Sequence, residues 1–188
     1  MKLFEDKILQ DSKIINNEII KVDSFLNHQI DIPLLNSLAE DAYKYFDGIQ
    51  VDKVLTIETS GIAVGFAVAQ KYNVPLVFAK KSKSAIVGSD VYETEIKSFT
   101  RNTVSNVTVS NRFLKKGEKI LIVDDFLAEG NAGMGLLDLC SQAGAEVVGF
   151  VTAIEKGFQP GRHKLEEKGI KVYSGAIIKA FENDKPIF

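Results

Sequence analysis

Two adjacent acids, Asp124 and Asp125, follow the apolar run at residues 120–123. A short run rich in β-branched residues predicts a strand that is buried on both faces of a parallel sheet. The acids then fall at the carboxyl end of that strand, which is the edge where open α/β sheets bind ligands. Because an ionised carboxylate only accepts hydrogen bonds, the pair is suited to vicinal sugar hydroxyls.

The two acids must share that task unequally. Neighbouring side chains of an extended chain point to opposite faces, so both cannot reach one small atom from one side. One acid would contact the ligand directly, and the other would approach from the side or anchor the loop. The alternative is that Asp125 caps a turn while Asp124 is solvated, but the flanking strand and loop favour ligand binding.

A loop of small residues at 128–133 follows the acids, and it leads into an apolar helix predicted over residues 134–143 and ended by Gly144. The start of a helix offers free backbone N–H groups and the positive end of the helix dipole, which together bind a phosphate. We therefore predict a phosphate site beside the acid pair.

A second strand–loop–helix unit lies earlier in the chain. Residues 54–57 predict a buried strand, and a helix of small residues is predicted over 62–72. The loop between them contains Thr59, Ser60 and Gly61, and it would lie at the same edge of the sheet as the acids. The alternative is an ordinary turn in which Ser60 caps the helix.

The third predicted strand covers residues 75–79, and a cluster of lysines follows it. Most such clusters are solvated, but this one, at residues 80–83, follows the carboxyl end of a strand, where it would attract an anionic ligand. Residues 93–110 then alternate with a period of two, which predicts an antiparallel hairpin inserted between strands of the sheet.

The remaining segments complete an α/β pattern. Residues 1–48 predict a mainly helical lead-in, whose second helix starts near Asp31. After the acid pair the pattern predicts a strand, a short helix and a strand, at residues 147–154, 162–168 and 172–178. The repeated units predict a doubly wound, mostly parallel sheet in a single domain that spans residues 1–188.

Composition excludes several classes of function. The formal net charge of −2 argues against a broad nucleic-acid surface, which needs an excess of basic residues. No apolar stretch approaches the roughly 20 residues of a membrane-spanning helix, and the N-terminus lacks the apolar core of a signal peptide. The single Cys140 is typical of core packing in a reducing cytosol. His28 and His163 lack the spacing of a zinc site, and no P-loop motif occurs.

The central stretch KILIVDDFLAEGNAGMG, at residues 119–135, resembles the phosphoribosyl-pyrophosphate fingerprint of the type I phosphoribosyltransferases. That fingerprint consists of an apolar strand, two acids, two apolar residues and a loop of small residues. Family members usually carry threonines in the loop, where Ala128 and Ala132 stand here. The exchange removes hydroxyl donors, so a 5′-phosphate would depend more on backbone N–H groups.

Three further stretches are similar to the bacterial xanthine phosphoribosyltransferases. They are VDSFLNHQ, IETSGI and IEKGFQPGR, at residues 22–29, 57–62 and 154–162. The resemblance covers nearly the whole chain, and four motifs in the same order make it specific. It implies the type I phosphoribosyltransferase fold, with an N-terminal hood over residues 1–50 and a flexible flap over residues 80–112.

The resemblance also implies a role for each motif. Asp124 and Asp125 would be the catalytic pair at the ribose, and xanthine would be bound by Ile20, Asn27 and Lys156. Mg²⁺ would arrive with phosphoribosyl pyrophosphate and be held chiefly by substrate oxygens, with no dedicated metal site. Phosphoribosyl pyrophosphate would be bound by two loops and a flap lysine, which comprise Thr59, Ser60, Gly61, Lys81, Ala128, Glu129, Gly130, Asn131 and Ala132.

The implied reaction joins xanthine to phosphoribosyl pyrophosphate in purine salvage and gives xanthosine 5′-phosphate and pyrophosphate. The family further implies a cytoplasmic homodimer that binds neither nucleic acid nor membrane. One alternative is a guanine or hypoxanthine phosphoribosyltransferase, which would share every phosphate-binding element. A more distant alternative is a purine regulator that senses phosphoribosyl pyrophosphate, but residues 1–50 contain only five Lys and no Arg for a DNA-binding segment.

Overall fold

The computed structural model describes residues 1–82, 90–98 and 103–188, which contain both helices and strands. None of the helices in these ranges is both long and apolar enough to cross a membrane. A short π-helical turn, Asp23–Asn27, precedes the second α-helix. In chain order the other elements are α1 (Lys2–Asp11), β1 (Lys13–Ile15), β2 (Ile19–Lys21), α2 (Ile32–Tyr45), β3 (Lys53–Ile57), α3 (Gly61–Tyr72), β4 (Leu76–Ser82), β5 (Val91–Ser98), β6 (Thr103–Ser110), β7 (Lys119–Leu127), α4 (Asn131–Ala143), β8 (Glu146–Lys156), α5 (Gly161–Glu166), β9 (Val172–Ile178), β10 (Ala180–Glu182) and β11 (Lys185–Ile187).

The central sheet has the strand order β5–β6–β4–β3–β7–β8–β9. Strands β4, β3, β7, β8 and β9 pair in parallel with their neighbours, whereas β5 and β6 add to one edge in antiparallel pairing. The predicted α/β class with a mostly parallel sheet is therefore confirmed.

Side chains of the central strands alternate between two hydrophobic cores. Val54 and Leu121 pack in the core that also contains residues of α1, α2 and α3. Their neighbours Leu55 and Ile122 pack in the core that contains residues of α4 and α5. Helices thus cover both faces of the sheet, which explains why the strands are continuous apolar runs and not alternating ones.

The N-terminal segment is only partly the predicted helical lead-in. Helices α1 and α2 are present, and the Asp31 carboxylate caps α2 by accepting a hydrogen bond from the Leu34 N–H at 3.1 Å. Between them, β1 and β2 form a hairpin that the mixed polar and apolar pattern did not reveal. Its tip contacts the C-terminal hairpin, where Asn17 and Asp184 exchange backbone-to-side-chain hydrogen bonds of 2.9 and 2.7 Å.

Several predicted boundaries were wrong, and three of them place residues of the predicted site. Helix α4 begins at Asn131 and not at residue 134, because Gly130 adopts the left-handed conformation (φ 81°) from which the helix starts. Strand β4 includes Lys80 and Lys81 and does not end at residue 79, because antiparallel pairing with β6 extends the strand. Lys156 likewise lies within β8, which pairs with β9 as far as its last residue.

The segment predicted as a flap includes β5 and β6. The side chain of Gln142 on α4 fastens β5 by donating to the Glu93 carbonyl at 2.8 Å and accepting from the Glu93 N–H at 3.2 Å. Residues 83–89 and 99–102 lie outside the described residues, and the role of residues 80–112 as a flap stays a prediction.

A buried ion pair joins β8, α5 and β9. Glu155 is 2% exposed, and the Arg162 guanidinium donates to both of its carboxylate oxygens, at 2.8 and 2.6 Å. The Ser174 hydroxyl donates to the same carboxylate at 2.5 Å, and Arg162 also donates to the Val172 carbonyl at 3.2 Å. The ion pair therefore joins the two ends of the segment from Glu155 to Arg162, which contains Lys156.

We expect Arg162→Met to lower the free energy of unfolding by about 3–5 kcal/mol, because it leaves the Glu155 carboxylate buried without its cation. Urea unfolding followed by circular dichroism would measure the change. The matched control is Arg112→Met, since Arg112 is exposed and should change stability by no more than about 0.5 kcal/mol. Equal stability losses for the two variants would contradict the importance of the buried pair.

Candidate active site

The site lies where the direction of the chain connections reverses. Strands β3 and β7 are parallel neighbours at the centre of the sheet. The chain leaves β3 through α3 toward β4 on one side, and it leaves β7 through α4 toward β8 on the other side. Such a switch point opens a crevice at the carboxyl ends of the strands, where ligands bind in open α/β sheets. The two predicted loops therefore lie side by side.

The two loops and the acid pair line one cavity of about 720 Å³. That volume lies within the about 300–1,000 Å³ of ordinary small-molecule sites. The predicted residues that line it are Thr59, Ser60, Gly61, Lys81, Asp124, Asp125, Ala128, Glu129, Gly130, Asn131, Ala132 and Lys156. Residues that are up to 97 positions apart in the sequence are thus brought to one surface.

The acids differ in their environments, as the alternation of an extended chain predicts. Asp124 is 5% exposed, and its Oδ1 accepts a hydrogen bond from the Asp125 N–H at 2.9 Å. Asp125 is more exposed, and its carbonyl accepts a hydrogen bond from the Thr152 hydroxyl at 3.2 Å. The side chain of Asp124 is therefore held in one orientation, while that of Asp125 is more open to the cavity.

Burial raises the pKa of both acids. For Asp124 the largest cause is desolvation, followed by the neighbouring charge of Asp125, and its pKa lies well above the usual value for Asp. For Asp125 desolvation again raises the pKa, against hydrogen bonds that lower it. The positive charge of Lys81 opposes both shifts, but it does not reverse them. The site thus holds acids that a positively charged ligand or transition state would stabilise in the ionised form.

The loop after β3 is packed closely onto the acid pair. A Cβ atom added at Gly61 would lie 2.3 Å from the Thr56 hydroxyl oxygen and 3.0 Å from Asp124 Oδ1. Only glycine therefore allows the start of α3 to approach both strands. The peptide bond between Glu58 and Thr59 is cis. The Glu58 carboxylate accepts a hydrogen bond from the Lys81 N–H at 2.6 Å, which connects this loop to β4.

The predicted base-binding residues do not all reach the cavity. Lys156 lines it, and its ammonium donates to the Glu18 carbonyl at 2.9 Å, from the turn between β1 and β2. Burial lowers the pKa of this lysine, and the charge of Glu18 opposes the shift. Ile20 packs in the core at 8% exposure, and Asn27 is exposed in the π-helical turn. The binding of xanthine by these two residues stays a prediction.

Sequence reasoning missed several residues that line the cavity. Glu18 and Ile19 come from the unpredicted hairpin. Neighbouring side chains of a strand point to opposite faces, so a strand prediction here would have placed Ile19 and Ile20 on different sides. Gln159 also lines the cavity, and its side-chain carbonyl oxygen is buried without a hydrogen-bond partner. It lies inside the quoted motif at residues 154–162, so the signal was present in the sequence.

Asn131 has a second contact that the sequence did not predict. Its side-chain amide donates to the Lys97 carbonyl on β5 at 3.0 Å. Lys97 itself lines the cavity, so the first residue of α4 connects the predicted phosphate loop to the edge of the sheet.

The donor set of the cavity suits a hard cation that arrives with its own oxygen ligands. Among the described residues, no group of three or more His, Cys, Asp or Glu side chains could form a metal centre. Asp124 and Asp125 nevertheless provide carboxylate oxygens next to the loops. This arrangement fits Mg²⁺, which prefers oxygen donors and keeps several water or substrate ligands.

Comparison with known proteins gives the class to which this fold and site belong. The model of the phosphoribosyl transferase domain family matches residues 21–184. The chain therefore belongs to the phosphoribosyltransferase family.

Curated relatives match the whole chain. Xanthine phosphoribosyltransferase 2 of Clostridium botulinum (strain Hall) is 49% identical over 189 residues, covering all of both chains. Xanthine phosphoribosyltransferase of Laribacter hongkongensis is 47% identical over the full length of both chains. The corresponding protein of Clostridioides difficile is 48% identical over 184 residues, which is 97% of each chain.

Solved structures share the fold at low sequence identity. Adenine phosphoribosyltransferase from Rhodothermus marinus aligns with a TM-score of 0.76 at 20% identity, covering 95% of this chain and 100% of that chain. The enzyme from Saccharomyces cerevisiae aligns with a TM-score of 0.75 at 17% identity, covering 94% and 100%. These similarities confirm the type I phosphoribosyltransferase architecture.

We expect Asp124→Asn to raise the free energy of unfolding at neutral pH, because it removes a buried carboxylate whose ionisation the folded state disfavours. The raised pKa means that the folded protein binds this proton more tightly than the unfolded chain does. The contribution of Asp124 to wild-type stability therefore falls as the pH rises from the usual Asp pKa of 3.8 through the raised pKa of the folded state. The advantage of the variant should grow over that window and vanish below it.

Urea unfolding at a series of pH values would measure this difference. The exposed Asp47 supplies the charge-matched control, Asp47→Asn. A folded Asp124→Asn protein that is less stable than the wild type at neutral pH would contradict the assignment of a costly buried charge.

Proposed function

We propose that this protein transfers the 5-phosphoribosyl group of phosphoribosyl pyrophosphate to xanthine, giving xanthosine 5′-phosphate and pyrophosphate. The single observation that carries the proposal is the cavity at the β3–β7 switch point, which brings the acid pair, two loops and Lys156 together. Full-length relatives that are named xanthine phosphoribosyltransferase support the choice of base.

The acid pair is the centre of the proposed chemistry. The bond from the anomeric carbon to pyrophosphate breaks as the base nitrogen forms its bond to that carbon. Positive charge develops on the ribose ring, and negative charge develops on the leaving pyrophosphate. Asp124 and Asp125 would accept hydrogen bonds from the ribose hydroxyls and stabilise the positive ring. Because ring charge favours their ionised forms, the interaction strengthens in the transition state, which is the requirement for catalysis.

Two backbone loops would bind the phosphates. Residues 128–132 would bind the 5′-phosphate through N–H groups of the loop and of the first turn of α4, since alanines stand where threonines are usual. Residues 59–61 and the Lys81 ammonium would bind the pyrophosphate. Mg²⁺ would be held by substrate oxygens with Asp124 and Asp125 nearby, and it would neutralise part of the pyrophosphate charge when bound.

Lys156 would select the base by its hydrogen-bonding capacity. A lysine ammonium has three donors and no acceptor, so it can satisfy a purine oxo group but not an amino group. Because Lys156 is partly buried, an ammonium that faces an amino group and makes no hydrogen bond to it costs more free energy than an exposed one would. Adenine would therefore be rejected, whereas the three 6-oxopurines would remain. Choosing xanthine among them requires donors near the 2-oxo group, for which the Asn27 amide and backbone N–H groups are the candidates.

The proposal extends to assembly and location. By family resemblance the protein would act as a homodimer in the cytoplasm, with residues of the partner near the pyrophosphate. Phe66 and Phe113 are 62% and 53% exposed, and they provide apolar surface that a second copy could cover.

Initial rates with xanthine, guanine, hypoxanthine and adenine, each with phosphoribosyl pyrophosphate and Mg²⁺, test the function directly. The proposal requires xanthine to have the highest kcat/KM. A preference for guanine or hypoxanthine would retain the phosphoribosyl half of the proposal and overturn the choice of base. Operator DNA that shifts with the protein in a salt-dependent manner, without transfer activity, would instead indicate a regulator.

We expect Asp125→Asn to fold normally and to lower kcat more than it raises KM for phosphoribosyl pyrophosphate. The lost interaction is strongest in the transition state, and a charged hydrogen bond of about 1.5–3 kcal/mol corresponds to a roughly ten- to hundredfold slower reaction. Steady-state kinetics against both substrates would measure this, with exposed Asp47→Asn as the charge-matched control. An unchanged kcat in a folded Asp125→Asn protein would contradict the catalytic role of Asp125.

Lys156→Gln should raise KM for xanthine and narrow the preference over adenine, because an amide offers both a donor and an acceptor. Asn27→Ala should instead weaken the preference for xanthine over hypoxanthine. The decisive measurement is kcat/KM for all four bases in each variant, with Lys179→Gln as an exposed control. If base selectivity survives both substitutions, the base binds elsewhere.

A further inference from the structure

The outer side of the phosphate loop is bonded to α5. The Gly161 N–H donates to the Ala128 carbonyl at 2.9 Å. The Lys164 ammonium donates to the Glu129 carbonyl at 2.7 Å. Two successive carbonyls of the loop are therefore bonded by groups from one short helix, although Lys164 is 35 residues from Glu129.

The contact between α5 and the loop leaves no room for side chains. A Cβ atom added at Gly161 would lie 2.3 Å from the Ala128 carbonyl oxygen and 2.9 Å from the Gly130 nitrogen. A Cβ atom added at Gly130 would lie 2.8 Å from the Gly161 Cα atom. The two backbones touch, so a displacement of α5 would displace the loop.

These bonds set the direction of the backbone N–H groups. In a trans peptide the carbonyl of one residue and the N–H of the next point in opposite directions. Because α5 bonds the carbonyls of Ala128 and Glu129, the N–H groups of Glu129 and Gly130 point away from α5. Both residues line the cavity, whereas Lys164 does not.

The charge of Lys164 has a second effect at the same place. Its ammonium lies 3.7 Å from a carboxylate oxygen of Glu129, whose side chain is 27% exposed. A carboxylate that lines an anion site would repel a phosphate, and the lysine offsets that charge. The pair is partly exposed, so its direct contribution to folding stability is small.

We infer that Lys164 is a positioning residue for the 5′-phosphate site. It fixes the loop at residues 128–130 so that the N–H groups face the cavity, and it does not touch the substrate. The inference rests on the proposed function, which assigns the 5′-phosphate of phosphoribosyl pyrophosphate to this loop.

The test is Lys164→Met, which keeps most of the side-chain stem and removes the charge and the donors. We expect Kd and KM for phosphoribosyl pyrophosphate to rise by about three- to tenfold. We expect KM for xanthine, at saturating phosphoribosyl pyrophosphate, and the Tm to stay unchanged. Calorimetric titration with phosphoribosyl pyrophosphate and Mg²⁺, without any base, measures Kd independently of the transfer reaction. Lys164→Arg should restore Kd, since it keeps a charged donor.

Lys168→Met is the matched control, because Lys168 is exposed nearby in the chain and loses the same charge. Equal Kd values for wild type and Lys164→Met, or equal shifts for the two Met variants, would overturn the inference. The double variant Glu129→Gln/Lys164→Met separates orientation from charge. A wild-type Kd in that variant would show that the lysine only neutralises the charge of Glu129, and it would overturn the positioning role.

The outcome also distinguishes this inference from the proposed function. Wild-type protein that fails to bind phosphoribosyl pyrophosphate would overturn both. Wild-type binding that Lys164→Met retains in full would overturn only the role of Lys164. Binding that Lys164→Met weakens, in a protein that does not use xanthine, would support the inference and overturn only the choice of base.

Discussion

The parallel pairing of β3 with β7 is the constraint on which the rest of the site depends. The register, with Leu55 opposite Ile122, places one residue of each strand in the same core. A slip by one residue would move every side chain of a strand to the opposite face, and here each face packs against a different set of helices. The core therefore specifies the register, and the register brings the two proposed ligand loops together at the carboxyl ends of the strands.

The site is formed at a cost to stability. Asp124 is almost completely buried and has no cationic partner in contact among the described residues, and Thr56 keeps an unpaired hydroxyl beneath Gly61. Burying a charge is unfavourable unless it is paired, and burying an unbonded hydroxyl is also unfavourable. The close packing of α3 on β3 and β7 maintains this arrangement. The proposed stabilisation of a positively charged transition state would require acids that are positioned before the substrate arrives. Tight packing of the core keeps the acids in place despite the cost of burying them.

A second group of residues supports the site from outside the cavity. Glu155 and Arg162 close the segment that carries Lys156, while Lys164 bonds the loop that follows the acids. Both supports come from α5, a helix of six residues. One small element thus joins the proposed base contact to the proposed phosphate contact. A fixed separation between these two contacts would favour the proposed reaction between two bound substrates.

The sequence by itself determined the strands of the parallel sheet, the order of the motifs and the family, because apolar runs and the motif at residues 119–135 are local patterns. It located Asp124, Asp125 and both loops correctly at one edge of the sheet, since carboxyl ends of parallel strands share an edge. Only the tertiary structure decided the first hairpin, the early start of α4 and the contact of Lys164 with Glu129. Those features depend on hydrogen bonds between residues far apart in the chain, or on a single left-handed glycine, and neither leaves a periodic signal in the sequence. The two predicted base contacts differ for the same reason. A local motif placed Lys156 in the cavity, whereas the tertiary packing of β2 directs the Ile20 side chain into the core.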